Sequence, residues 1–166
     1  MSIESVISIM REQIDLHDSL LTLGHQKKAV LINNEVALLN QIVLKESKLI
    51  KQIEALEKQR MMEISSFLLS RGFNPNPKIT ITDLIRVVFK AEDKVKLQEH
   101  QRELFGKIQE LQKVNELNQQ MIRQSLSFID YSLNVLVGDQ GDELLYSNPM
   151  HQQSQLKRNG YFDTKA

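Results

Sequence analysis

Four histidines, His17, His25, His100 and His151, are the side chains best suited to metal binding or proton transfer in this 166-residue chain. A di-metal site in a helical bundle needs a Glu three positions before a His, so that both project from one helix face. Here those positions hold Ile14, Thr22, Leu97 and Asn148. No two histidines lie three or four residues apart. Glu99 and His100 are sequence neighbours and point to different sides of a helix. The absence of Cys removes thiolate zinc sites, iron–sulfur clusters, disulfides and a thiol nucleophile. Phosphate-cradling glycine loops and a nucleophile elbow are missing too, and Gly138 to Gly141 reads as a helix stop. Carboxylate pairs such as Asp15/Asp18 and Glu99/Glu103 are routine on helical surfaces. Each His therefore reads as structural or solvated, with no catalytic, cofactor-binding or metal-binding residue. The expectation is a protein that is not an enzyme.

The elements that carry these residues are helical. Hydrophobic residues make up 41% and charged residues 25%, enough to fold rather than stay disordered. Aromatics at 5% and six Gly are too few for a sheet protein with many turns. Ser2 can cap a first helix that runs to about Ile32, with Glu4 near its positive end. Ile3, Val6, Ile7, Met10, Ile14, Leu20, Leu21 and Leu31 line one face of it; His17 sits where that face continues, and Gly24 weakens the middle. Asn33-Asn34 marks a bend, with either Asn capping a second helix that ends at about Arg71, before Gly72. Leu39, Ile42, Leu49, Ile53, Leu56, Ile64 and Phe67 give that helix a coiled-coil seam, interrupted by Glu46 and Arg60.

The loop 72–79 carries Pro75 and Pro77. Thr80 and Asp83 then form a capping box for a short helix over about 81–91, whose Leu84, Ile85, Val87, Val88 and Phe89 close the end of the bundle. The last helix spans about Asp93 to Val137, with Leu97, Leu104, Ile108, Leu111, Ile122, Leu126, Ile129, Leu133 and Leu136 on its stripe and Asn115 and Asn118 mid-seam. The fold class is all-α: an elongated antiparallel helical bundle or coiled coil of three long segments plus a short helix. Residues 1–138 form the helical domain and 139–166 a flexible tail.

Association is the chemistry left. The zero net charge, with both signs interspersed, argues against bulk attraction to nucleic acid or an anionic membrane. No apolar run approaches a bilayer span. The opening MSIESVISIMREQ lacks a positive n-region and carries Glu4, so the expectation is no signal peptide and a cytoplasmic setting. Leu126, Ile129, Leu133 and Leu136 form a ridge that reads as completing the bundle core. Phe128, Tyr131 and Val135 recur beside it, off the main stripe, and suit a site where another helix docks. In the tail, Leu144-Leu145-Tyr146 and Tyr161-Phe162 are either incidental or ordered on a partner. A homodimer built on the aromatic strip, a self-associating coiled-coil scaffold without a client, is the competing interpretation.

Three pieces in order carry a family resemblance: Lys27-Lys28 before Asn33-Asn34, Lys45-Glu46-Ser47-Lys48-Leu49-Ile50, and Asn118 through Leu136. Over residues 1–138 the chain resembles the FlgN family of cytoplasmic chaperones for hook–filament junction proteins of the bacterial flagellum. The tail ending Gly160-Tyr161-Phe162-Asp163 is similar to Gram-positive members, and Gly24 departs from the family pattern. The resemblance implies a chaperone that keeps junction proteins soluble and unassembled and delivers them to the type III export gate. For such a chaperone, the client groove is expected on the C-terminal part of the last helix, at Ile122, Leu126, Phe128, Ile129, Tyr131, Leu133, Val135 and Leu136. Tyr146, Tyr161 and Phe162 would fold over the bound segment, and Tyr131 would contact the gate component.

Overall fold

The computed structural model describes residues 3–74 and 79–137. Four helices follow in order: α1 (Ile3–Ile32), α2 (Val36–Ser70), α3 (Ile81–Val87) and α4 (Ala91–Val137). No strand occurs among the described residues, and the fold is an all-α bundle as expected. The chain divides into two compact units, one ending at Ile122 and the other beginning at Arg123.

In the first unit α1 is the helix that touches both long neighbours. Its buried residues include Ile3, Val6, Ile7, Ile9, Met10, Ile14, Leu20 and Leu21, broader than a single seam. Gln13 and Lys27 of α1 meet Glu57 and Glu46 of α2, so those helices run antiparallel. Arg11 and Asp18 of α1 meet His100 and Lys107 of α4, so those two run parallel. The core cluster joins the start of α1, the end of α2, α3 and the start of α4, where Met10, Ile64, Leu84 and Leu97 are fully buried. His17, on the apolar face of α1, is buried with its Nδ1 2.6 Å from the Gln13 carbonyl.

The two polar residues that interrupt the α2 seam are both paired. Glu46 accepts from Lys27, and Arg60 donates to Glu57, whose other oxygen accepts from Gln13 Nε2 at 3.0 Å. A charge in a helix seam is tolerated when a partner satisfies it.

Helix ends follow from backbone chemistry. Asn34 adopts φ 55°, the Glu35 N–H bonds to the Val30 carbonyl and the Asn34 N–H to that of Leu31. That pattern is a Schellman stop with Asn34 in the left-handed position, where Asn is tolerated. Asn33 and Asn34 thus end α1 rather than cap α2, whose N-cap is Glu35, without a side-chain cap bond. Gly72, at φ 79°, stops α2 in the same way, with the Phe73 and Gly72 N–H groups bonded to the Leu68 and Leu69 carbonyls.

The Thr80–Asp83 capping box starts α3, with the Asp83 N–H donating to Thr80 Oγ1 and the Thr80 N–H to Asp83. The helix is shorter than the sequence suggests and stops at Val87. Val88 turns extended at φ −71°, ψ 130° and is buried, whereas Phe89 faces solvent. Placing Val88 in the core from an extended backbone turns the next side chain outward, and the Arg71 guanidinium lies over both the Phe67 and Phe89 rings, at 5.1 and 5.4 Å. Ser2, Pro75 and Pro77 lie outside the described residues.

Candidate partner-binding surface

The stripe of α4 loses burial along its length. Leu97 and Leu104 are buried, Ile108, Leu111 and Ile122 half-buried, and Leu126, Ile129, Leu133 and Leu136 exposed. The ridge expected to complete the core therefore stands open to solvent. Spacing identifies which side chains share a face; it does not supply the element that covers them.

At about 100° per residue, Leu126, Ile129, Leu133, Leu136 and Val137 form one strip of the helix from Arg123 onward. Phe128, Tyr131 and Val135, expected beside that ridge, instead form a second strip on nearly the opposite side of the helix, because they fall about 150° around it. Ser127, Asp130 and Asn134 separate the strips along one flank, Ser125 and Ser132 along the other. Ser132 bonds back to the Phe128 carbonyl at 2.8 Å, which satisfies it within the helix. Phe128 is 70% exposed, Tyr131 68% and Leu136 82%. Large side chains exposed together on two faces form an apolar surface of the kind that marks a binding site.

Ile122, grouped with these residues by the sequence, belongs to the first unit. It lines a pocket between α1, α2 and α4 together with Leu20, Ile50, Leu111 and Asn118. Tyr146, Tyr161 and Phe162 lie outside the described residues. The spacing of α4 alone missed the way Asn118 reaches α1. Its Nδ2 donates to the Gly24 carbonyl at 2.8 Å, and a Cβ at Gly24 would lie 2.8 Å from Val114 Cγ1. Pairing the unexpected Gly of α1 with the unexpected Asn of α4 was the signal available in the sequence.

Electrostatics around these helices are local. The hydrogen bond from Lys107 to Asp18 raises the lysine pKa, and that from Lys96 to Glu92 lowers the glutamate pKa. His100 Nδ1 lies 2.7 Å from the Lys96 carbonyl while Nε2 accepts from Arg11, a structural role. Among the described residues no group of three or more His, Asp or Glu could hold a metal ion. No described helix is long and apolar enough to cross a membrane.

The sequence model of the family described as FlgN protein matches residues 1–153. The chain is also 32% identical over 137 residues to the protein of Bacillus subtilis (strain 168) named "Uncharacterized protein YvyG", covering 82% of each chain. No solved structure matches.

Proposed function

Because the chain belongs to the FlgN family, we propose that it is a cytoplasmic export chaperone for hook–filament junction proteins of the flagellum. Junction proteins carry amphipathic terminal helices that pack only in the assembled filament. Unpaired in the cytoplasm, such helices expose apolar surface and self-associate. A chaperone that covers one of them delays assembly and delivers the client to the type III export gate. Within residues 1–138, a helical domain in this reading, the client surface is the end of α4. The observation that carries the reading is the exposure of Leu126, Phe128, Ile129, Tyr131, Leu133, Val135 and Leu136 around that one helix.

Two strips allow a division of labour. The aliphatic ridge suits the apolar stripe of a client helix laid along it. Tyr131 on the other strip is the export-gate contact, with an apolar ring and a hydroxyl that suit a surface partly wet. The tail residues Tyr146, Tyr161 and Phe162 close over the bound segment.

Capture of a hook–filament junction protein by the purified chain tests this. Leu133→Ala and Phe128→Ala are expected to weaken capture about tenfold or more each, the range of interface anchors. Tyr131→Ala should lose the gate component while retaining more of the client. A chain ending at Gly138 should release the client faster. Full binding by every variant removes the site assignment. Exposure on two sides also suits a second copy of the chain, the scaffold reading; sedimentation across a concentration series that shows a tight dimer and no 1:1 client complex selects it.

A further inference from the structure

We propose that the chain carries its own cover for the aliphatic ridge: Leu144-Leu145-Tyr146 folds back onto Leu133, Leu136 and Val137 while no client is bound, and yields the strip when a client helix arrives. The regulation rests on the chaperone reading above and concerns the same strip; the docking of the segment does not depend on that reading.

Position along the chain argues for this occupant. Val137 ends α4 and is itself part of the ridge, so the chain leaves the helix from that strip. Residues 138–143 separate it from Leu144, a length usual for connections between antiparallel helices. They include Gly138 and Gly141, whose backbones reverse direction at no steric cost. Extended, such a connection reaches roughly 20 Å, whereas Leu133 lies only about 6 Å back along the helix from Val137.

The chemistry of both partners agrees. Leu133 is 48% exposed, Leu136 82% and Val137 46%, and the only charged side chain from Gln124 to Val137 is Asp130, off the ridge. Such a strip selects an apolar occupant. Between residues 138 and 153 the apolar run is Leu144-Leu145-Tyr146. The FlgN family's sequence model, which ends at residue 153, takes in that run and leaves out Tyr161 and Phe162. A tethered segment meets its strip at an effective concentration in the millimolar range, so a weak affinity is enough to cover it. Three side chains at the end of the ridge bury less apolar surface than a client helix laid from Leu126 to Leu136, so the client displaces them. Phe128, Tyr131 and Val135, on the opposite strip, stay open throughout.

The test uses the full chain. Because the sequence has no Cys, two introduced thiols report one contact. Without client, Leu133→Cys with Leu145→Cys should close an intramolecular disulfide under mild oxidation several-fold faster than Val135→Cys with Leu145→Cys. Equal rates for the two pairs overturn the proposal. Disulfides formed mainly between molecules in dilute solution also overturn it, in favour of a second copy. Leu144→Ser with Leu145→Ser leaves every residue of α4 in place. A hook–filament junction protein should associate with that variant about threefold faster than with the parent, the gain when a strip covered roughly two-thirds of the time is freed. An unchanged association rate overturns the masking and leaves the chaperone reading intact. If no junction protein binds the parent chain, the chaperone reading fails, while the thiol pairs still decide whether the segment covers the ridge.

Discussion

A methyl group at position 24 would lie 2.8 Å from Val114 Cγ1, closer than packed carbon atoms approach. Val is β-branched and stiff at χ1, so it cannot swing aside freely. Gly24→Ala gains about 1 kcal/mol of helix propensity and loses roughly 1–3 kcal/mol to overpacking. The expected net is a loss of up to about 2 kcal/mol in chemical denaturation. Adding Val114→Ala should recover part of it, giving a favourable coupling in the double-mutant cycle. A Gly24→Ala protein more stable than the parent would refute the close contact. Within the sequence Gly24 is visible only as a weak point in α1. Its explanation lies on α4, far along the chain and beyond the reach of local spacing. The same holds for Glu46, which interrupts a seam in sequence and pairs with Lys27 of another helix in the structure.

At the scale of the element, helix starts and stops were legible where one residue dictates the backbone. Thr80 with Asp83, and Gly72 after Arg71, are such cases, and both stand as read. Asn33-Asn34 was legible as a break but not as the kind of break, because Asn serves at a cap and in the left-handed position alike. Hydrophobicity extended α3 too far, since Val88 and Phe89 look helical by type and only the core decides which of them turns inward. The α3 cap is testable by acid. The hydrogen bonds from the Thr80 side chain and backbone, and then Arg86, hold the Asp83 pKa below its ordinary 3.8. A carboxylate whose folded pKa is depressed contributes its stability fully above the unfolded value and loses it as pH falls through the folded one. The helical signal of α3 should therefore hold at neutral pH and decline below about pH 3.8, and Asp83→Asn should flatten that decline. Thr80→Ala should cost about 1 kcal/mol at neutral pH. An acid profile unaltered by Asp83→Asn assigns the sensitivity to other carboxylates.

For the whole molecule the decisive facts are the balance of 21 basic and 21 acidic groups and the wealth of exposed apolar side chains. The all-helical class was legible because long amphipathic stripes and scarce Gly leave no alternative. Which stripe stays open was not, since exposure depends on what else packs nearby. On the proposed chaperone reading, a neutral chain gains little long-range steering, so a client should associate at an ordinary rate of about 10⁵–10⁶ M⁻¹s⁻¹, with a weak response to added salt. The driving force must then come from apolar burial, whose signature is a negative heat-capacity change. Each Å² of apolar surface covered contributes roughly −0.45 cal/mol/K, partly offset by polar area. Calorimetric titration of a junction protein at several temperatures should give a binding enthalpy that becomes steadily more negative on warming. Its affinity should stay nearly level between about 50 and 500 mM salt, roughly a threefold change in Debye length. Phe128→Ala should make the heat-capacity change smaller in magnitude, whereas neutralising Lys107 or Asp130 should leave it alone. An affinity that collapses with salt while the enthalpy stays flat with temperature would mean that charge, not the open end of α4, holds the client.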